Sequence, residues 1–177
     1  PITTVVLNNG GIGGGFEAWP ADKPPPPSAL SRTARYAKVL AASGGAVSAC
    51  VWDYSGHMEF LRHFWDAAVA LDASARDLDE GTRFPLCHPD ALTDVFQTAG
   101  LRHVRCEPID LTTTFADFDD YWQPLLGGVG PAPSYVASLH PDRRGLLAQR
   151  LRLALPLGPE DRIILRARAW AVCGTTD

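Results

Sequence analysis

The chain has no excess of basic side chains: among its 177 residues 16 Lys and Arg stand against 20 Asp and Glu, a formal charge of −4. Nucleic acid is held chiefly by cationic groups that neutralise phosphates, so this balance argues against nucleic acid as a main partner. No apolar run approaches the roughly 20 residues that a membrane-spanning helix needs, so no membrane partner is expected. The start lacks the basic segment followed by an apolar stretch that marks a secretory signal. Cysteine is sparse, and Cys50, Cys87, Cys106 and Cys173 form no C-x-x-C pair. That spacing predicts reduced thiols in a cytoplasmic protein, with neither a disulfide framework nor a zinc site. Methionine is nearly absent too. The chain begins at Pro1 and its single methionine is Met58, which suggests that processing or a boundary removed a preceding stretch. No internal repeat is present.

What is there suffices for a core. With 46% apolar residues the chain reads as one ordinary domain, or one domain with an appendage. Its organising stretch is Gly44 to Met58, GGAVSACVWDYSGHM. Two glycines turn the backbone, Ala46 to Trp52 form an uncharged strand, and the strand opens into the polar, aromatic tip Asp53-Tyr54-Ser55-Gly56-His57. Uncharged strands belong in sheets covered on both faces, where ligands bind outside the carboxyl ends of the strands. Trp52 to Met58 is therefore the first candidate for a ligand-facing edge.

Along the chain, Ile2 to Leu7 is β-branched and predicts a short strand running into Asn8-Asn9-Gly10-Gly11. Gly11 to Gly15 fits the G-x-G-x-G of nucleotide-binding turns, which work by aiming a helix N-terminus at a phosphate. Trp19-Pro20 and Pro24 to Pro27 forbid that helix, so residues 1–27 read as a strand plus a flexible linker. A helix is expected from Ser28, with Leu30, Ala34, Ala37 and Leu40 inward, ending before Gly44. A second, largely buried helix is expected from Glu59 to Asp72, followed by a charged connection to Arg83. A third opens at Pro89 with Leu92, Val95, Phe96 and Ala99 inward and closes at Gly100. Val104 to Leu111 reads as a strand, residues 112–155 as mostly helical, and Ile163 to Cys173 as an alternating final strand. If the two strands are antiparallel, Glu107 pairs with Arg166 or Arg168. Arg143, Arg144, Arg150 and Arg152 are expected on a solvated helix face.

Several of these residues also carry a family likeness. Lys38-Val39-Leu40 with Gly44-Gly45 is similar to the R-V-L-K/R-P-G-G turn of class I S-adenosylmethionine-dependent methyltransferases, here without the proline and one residue longer. Val51-Trp52-Asp53-Tyr54 falls where that family ends its fifth strand. Phe84-Pro85 with Leu92 to Leu101, LTDVFQTAGL, resembles the stretch before the sixth, and Asp117 to Trp122, DFDDYW, the helical insertion before the seventh in a bacterial type 11 branch. The likeness covers roughly residues 30–174 of the chain. It implies an α/β fold: the last strands of a Rossmann-like methyltransferase sheet, the final one antiparallel, with residues 112–155 as the insertion. The family's Gly-rich loop and acidic ribose and adenine ligands have no counterpart here, so the resemblance describes a C-terminal half, either truncated or with an unrelated N-terminal replacement. It also implies S-adenosylmethionine as cofactor, with Asn8 and Asn9 where donor and acceptor meet if Ile2 to Leu7 stands for the fourth strand.

Methyl transfer needs orientation, a dry site and at most one base for the acceptor's proton. Tyr54 and His57 are the candidates to orient or deprotonate a small-molecule acceptor, and Trp52 a candidate wall or cation-binding face. His57 also reads as a helix-start cap or an exposed imidazole, and Trp52 as ordinary core. Tyr121 and Trp122 are candidate acceptor-pocket residues that would look the same as core, while Arg83 and His88 suit an acidic acceptor or simple exposure. Asp119 and Asp120 are adjacent in a helix, so they point apart and make no paired-carboxylate site. A sheet of four strands leaves Ile2 to Leu7 as an open edge, which predicts a homodimer or a complementary subunit there. The sequence thus supports two readings: the substrate-side half of a methyltransferase, or a non-catalytic fragment that binds a protein partner.

Overall fold

The computed structural model describes residues 2–8, 38, 41–127 and 130–177, the first segment by its backbone alone. The expected helix from Ser28 and the Gly- and Pro-rich segment lie outside the described residues. The fold is mixed α/β, with a four-stranded sheet in the order β1-β2-β4-β3, where β1 is Ile2–Asn8, β2 Ala41–Trp52, β3 Arg102–Phe115 and β4 Ile163–Thr175. Strand β1 runs parallel to β2 and β4 antiparallel to it. Among the described residues no helix is long and apolar enough to cross a membrane. The chain divides into two compact units, Pro1–Trp52 with Leu86–Ile109 and Ala169–Asp177, and Asp53–Pro85 with Asp110–Arg168.

In the first unit β2 is longer than its sequence suggests. Gly44 and Gly45 form a bulge inside the strand, not a turn before it: the register with β1 jumps from Ile2 opposite Ala41 to Thr4 opposite Ala46. Gly44 takes φ +71°, a left-handed conformation that glycine reaches without a Cβ penalty. The irregular backbone is satisfied by the residues that follow β4. Thr176 Oγ1 accepts from the Gly45 amide at 3.0 Å and donates to the Ala42 carbonyl, and the Gly44 amide donates to the Asp177 carbonyl at 3.2 Å. Val47, Ala49 and Val51 are buried, as are Leu92 and Phe96 of a helix at Pro89–Thr98. That helix is the expected one: His88 precedes it, Pro89 and Asp90 occupy its first turn, and Gly100 ends it at φ +81°, its carbonyl accepting from Lys38 Nζ at 2.8 Å.

The second unit is built on α1, Glu59–Leu71, which buries Phe64, Trp65, Ala67 and Ala68. The charged connection after it is ordered into a 3-10 turn, Ala73–Leu78, and a short helix α2, Glu80–Arg83. Taking the helix at Pro89–Thr98 as α3, the expected insertion supplies α4 at Phe118–Trp122, α5 at Pro131–Ser138 and α6 at Pro141–Ala154. It starts later than residue 112, because β3 continues to Phe115 with Thr113 Oγ1 donating to the Leu165 carbonyl at 3.1 Å. Phe64, Trp65, Tyr121, Tyr135, Val136, Leu147, Leu151, Ile163 and Leu165 form one core. Aromatic edges meet there, with Phe64 and Trp65 centroids 4.9 Å apart at 79°.

One expectation about arginines is corrected. Arg168 binds Asp110 through two bonds of 2.6 and 2.8 Å, and Arg166 binds Glu59 at 3.0 Å, so neither takes Glu107 as partner. Since Asp110 meets Arg168 while Thr113 meets Leu165, β3 and β4 are antiparallel as expected. Arg143, Arg150 and Arg152 of α6 are exposed as expected, while Arg144 is half-buried. Arg144 donates to the carbonyls of Val136, Ala137 and Leu139 at the end of α5, Arg143 to that of Leu71, and Arg152 lies 3.9 Å over the Phe118 ring while binding Asp119. Asp119 and Asp120 do point apart: Asp120 accepts from the Ala116 amide.

Candidate functional site

Where β2 ends, the chain turns sharply through Asp53-Tyr54-Ser55-Gly56-His57, and a single buried carboxylate organises the turn. Asp53 is 4% exposed. Its Oδ1 accepts from the Gly56 amide at 2.9 Å and the Ser55 hydroxyl at 3.3 Å; its Oδ2 accepts from the His57 amide at 3.1 Å and lies 3.1 Å from His57 Nδ1. Both ends of the turn are gripped by one residue of β4. The Asp53 amide donates to the Arg168 carbonyl at 2.9 Å, and the Arg168 amide donates to the His57 carbonyl at 3.1 Å. The Arg168 guanidinium binds Asp110 and holds that carboxyl below its usual range, chiefly through the side-chain hydrogen bond.

Two glycines make this geometry possible. A Cβ on Gly56 would stand 2.8 Å from Asp53 Oδ2 and 3.0 Å from Oδ1, and one on Gly81 would stand 2.8 Å from the Tyr54 carbonyl oxygen. Gly56→Ala therefore pushes the carboxylate off its donors, and we expect it to cost about 1–3 kcal/mol in thermal or denaturant unfolding. An unchanged midpoint would show that the turn tolerates a displaced Asp53.

The structure brings together some of the predicted residues. Tyr54 and His57 share the turn, and both are half-buried, the His57 side chain at 37% exposure. Tyr54 packs on Phe84 at 5.6 Å, and Arg83, at the end of α2, lies 5.9 Å from the same ring, so Tyr54 and Arg83 share one aromatic neighbour. His57 is not a helix cap: Met58 precedes α1, and no side chain caps that end. Trp52, half-buried, is the last residue of β2 and stands opposite Ala169. Asn8 closes β1 opposite Cys50, at the same end of the parallel pair as Trp52; Asn9 lies outside the described residues.

Tyr121 and Trp122 are buried in the core. Tyr121 is 0% exposed, its hydroxyl donates to the Phe60 carbonyl at 2.8 Å, and burial raises its pKa far above the ordinary phenol range. Trp122 stacks on Phe118 at 6.0 Å. The residue that sequence reasoning missed is Asp53, although an Asp followed within three residues by Gly is the pattern of a side chain bonding its own turn. Among the described residues no group of three or more His, Cys, Asp and Glu is placed to hold a metal ion.

No protein-family model matches the chain, and no curated protein matches it. Among solved structures it is similar to that of a putative methyltransferase from Bacillus halodurans, with a TM-score of 0.38 and 10% identity, the match covering 82% of this chain and 57% of that one. The chain thus spans little more than half the length of that protein.

Proposed function

We propose that the chain is the substrate-side half of an S-adenosylmethionine-dependent methyltransferase acting on a small-molecule acceptor. The observation that supports this reading is the sheet: β1 and β2 parallel, and the last strand β4 reversed beside β2. That is the arrangement the family likeness implies for the last strands, and helices α4 to α6 precede the reversed strand as its insertion would. In this reading Tyr54 and His57 orient and deprotonate the acceptor, Trp52 offers it an apolar wall, and Arg83 suits an acidic group on it. Asn8 and Asn9 stand for the donor side. Tyr121 and Trp122 serve by holding the insertion on the core.

A second reading is favoured by β1, which is an edge strand of the described sheet: a non-catalytic fragment that pairs through this edge with a copy of itself or another subunit. One titration separates the two. Calorimetry of the folded chain with S-adenosylmethionine, and with its demethylated product, is expected to give saturable heat with micromolar affinity. A folded chain that gives no heat at high concentration overturns the catalytic reading for this chain and leaves the edge-pairing one.

A further inference from the structure

We infer that Asp53 is a positioning residue for His57: it fixes the imidazole in the Nδ1–H tautomer and leaves Nε2 as the proton acceptor for a ligand bearing an O–H or N–H group. The argument begins with a donor census. The Gly56 amide, the Ser55 hydroxyl and the His57 amide all point their hydrogens at the Asp53 carboxyl. A carboxylate so surrounded only accepts, so the fourth neighbour, His57 Nδ1 at 3.1 Å, has to carry a hydrogen. Neutral imidazole carries one, which leaves Nε2 with its lone pair.

The ring is also held in place. The amide and the ring nitrogen of His57 bind the same oxygen, Oδ2, which restricts χ1, and Arg168 fixes the backbone on both sides of the turn. The side chain keeps 37% of its surface exposed against 6% for Asp53, so the aspartate is shielded while the histidine is within reach of a ligand. The charged groups around the pair are Arg168 and Asp110, the first bound through two donors to the second. Arg166 is engaged with Glu59, at the start of α1. Both guanidinium groups thus have carboxylates of their own.

The choice of ligand rests on the methyltransferase reading; the tautomer does not. In methyl transfer the acceptor's proton passes to Nε2, and the electron pair of its O–H or N–H bond stays on the heteroatom. That atom attacks the methyl carbon of a sulfonium donor, and the C–S pair leaves with sulfur. The imidazolium formed has its Nδ1–H against the Asp53 carboxylate, which stabilises the charge as it develops.

The test is a two-bond 1H–15N spectrum of the imidazoles at a pH where histidines are neutral, with His57 assigned by its loss in His57→Gln. We expect an Nδ1–H signature for His57 in the natural chain, and loss or reversal of that preference in Asp53→Asn, whose amide can donate to Nδ1. An Nε2–H signature in the natural chain, or an unchanged preference in Asp53→Asn, overturns the proposal. Should Asp53→Asn fail to fold, the natural chain's own spectrum still decides. Carbethoxylation mapped peptide by peptide gives a second readout: His57 is expected to react several-fold faster than in a folded Gly56→Ala chain, and equal rates would count against positioning. An Nδ1–H His57 in a chain that gives no heat with the donor supports the positioning and overturns only methyl transfer.

Discussion

Trp65→Ala is expected to be the most damaging single change in the second unit. The indole is 0% exposed, lies 4.9 Å from Phe64 and 5.9 Å from Tyr135, and donates from Nε1 to Glu80, itself 5% exposed. Removing the ring leaves a cavity in a close-packed core and takes a donor from a buried carboxyl. Large aromatic-to-alanine changes of this kind cost about 3–5 kcal/mol, and for a chain of this length each kcal/mol is worth roughly 2–4 °C in Tm. Trp65→Phe separates the two losses, because it keeps most of the volume and drops only the hydrogen bond; a smaller cost of about 1–3 kcal/mol is expected. Equal costs for the two variants would show that the Glu80 bond, and not packing, dominates at this site.

Glu80→Gln is expected to have the opposite sign at neutral pH. Burial raises the Glu80 pKa above the ordinary 4.5, helped by the neighbouring Asp79 and opposed by its own backbone amide, by Trp65 and by Arg62. The folded chain therefore binds this proton more tightly than the unfolded chain. Its stabilising effect is complete below about pH 4.5 and is lost as pH rises through the folded pKa, so this group makes stability fall with pH in that window. A glutamine keeps an oxygen for the Trp65 indole and has no charge to bury. Melting both proteins from pH 4 to 8 should show the variant gaining on the natural chain as pH rises. A difference that stays constant across that range would mean that Glu80 does not titrate there and would refute the prediction.

Much of the fold was legible because periodicity survives in single segments. The final strand alternates from Ile163 to Ala169, and those positions are buried as expected. Beyond it the buried set changes phase to Val172, Gly174 and Thr176, a change the residues themselves do not announce. Helix α1 was legible from its apolar stripe. Helix α5 falls within the stretch expected to be mostly helical: both prolines fall in its first turn, where a missing N–H costs nothing, and Ala132, Tyr135 and Val136 form its buried stripe. Thr112 to Thr114 are β-branched and continue β3, a local signal outweighed by the helical spacing of Phe118, Tyr121, Trp122 and Leu125 just beyond them. The Gly44-Gly45 pair was legible as irregular backbone but not as a bulge, because what completes it is Thr176, distant in sequence.

The candidate site divides in the same way. Tyr54 and His57 stand out as a polar, aromatic tip after an apolar strand, whereas the role of Asp53 depends on burial and on where four donors point. Tyr121 and Trp122 illustrate the limit of aromatic spacing: a core stripe and a pocket wall have the same pattern, and here Phe60, Phe115 and Phe118 claim the rings.

The backbone clamp at Arg168 has a consequence for the order in which the molecule is made. A ribosome delivers Asp53 to His57 well before Arg168, so through that interval the nascent chain carries the turn with the Asp53 amide and the His57 carbonyl lacking their strand partner. A chain that stops between His57 and Arg168 holds every residue of the turn and none of the clamp. Synthesis through β4 is thus a precondition for the site's shape, and premature termination yields a protein that retains the residues but not their arrangement.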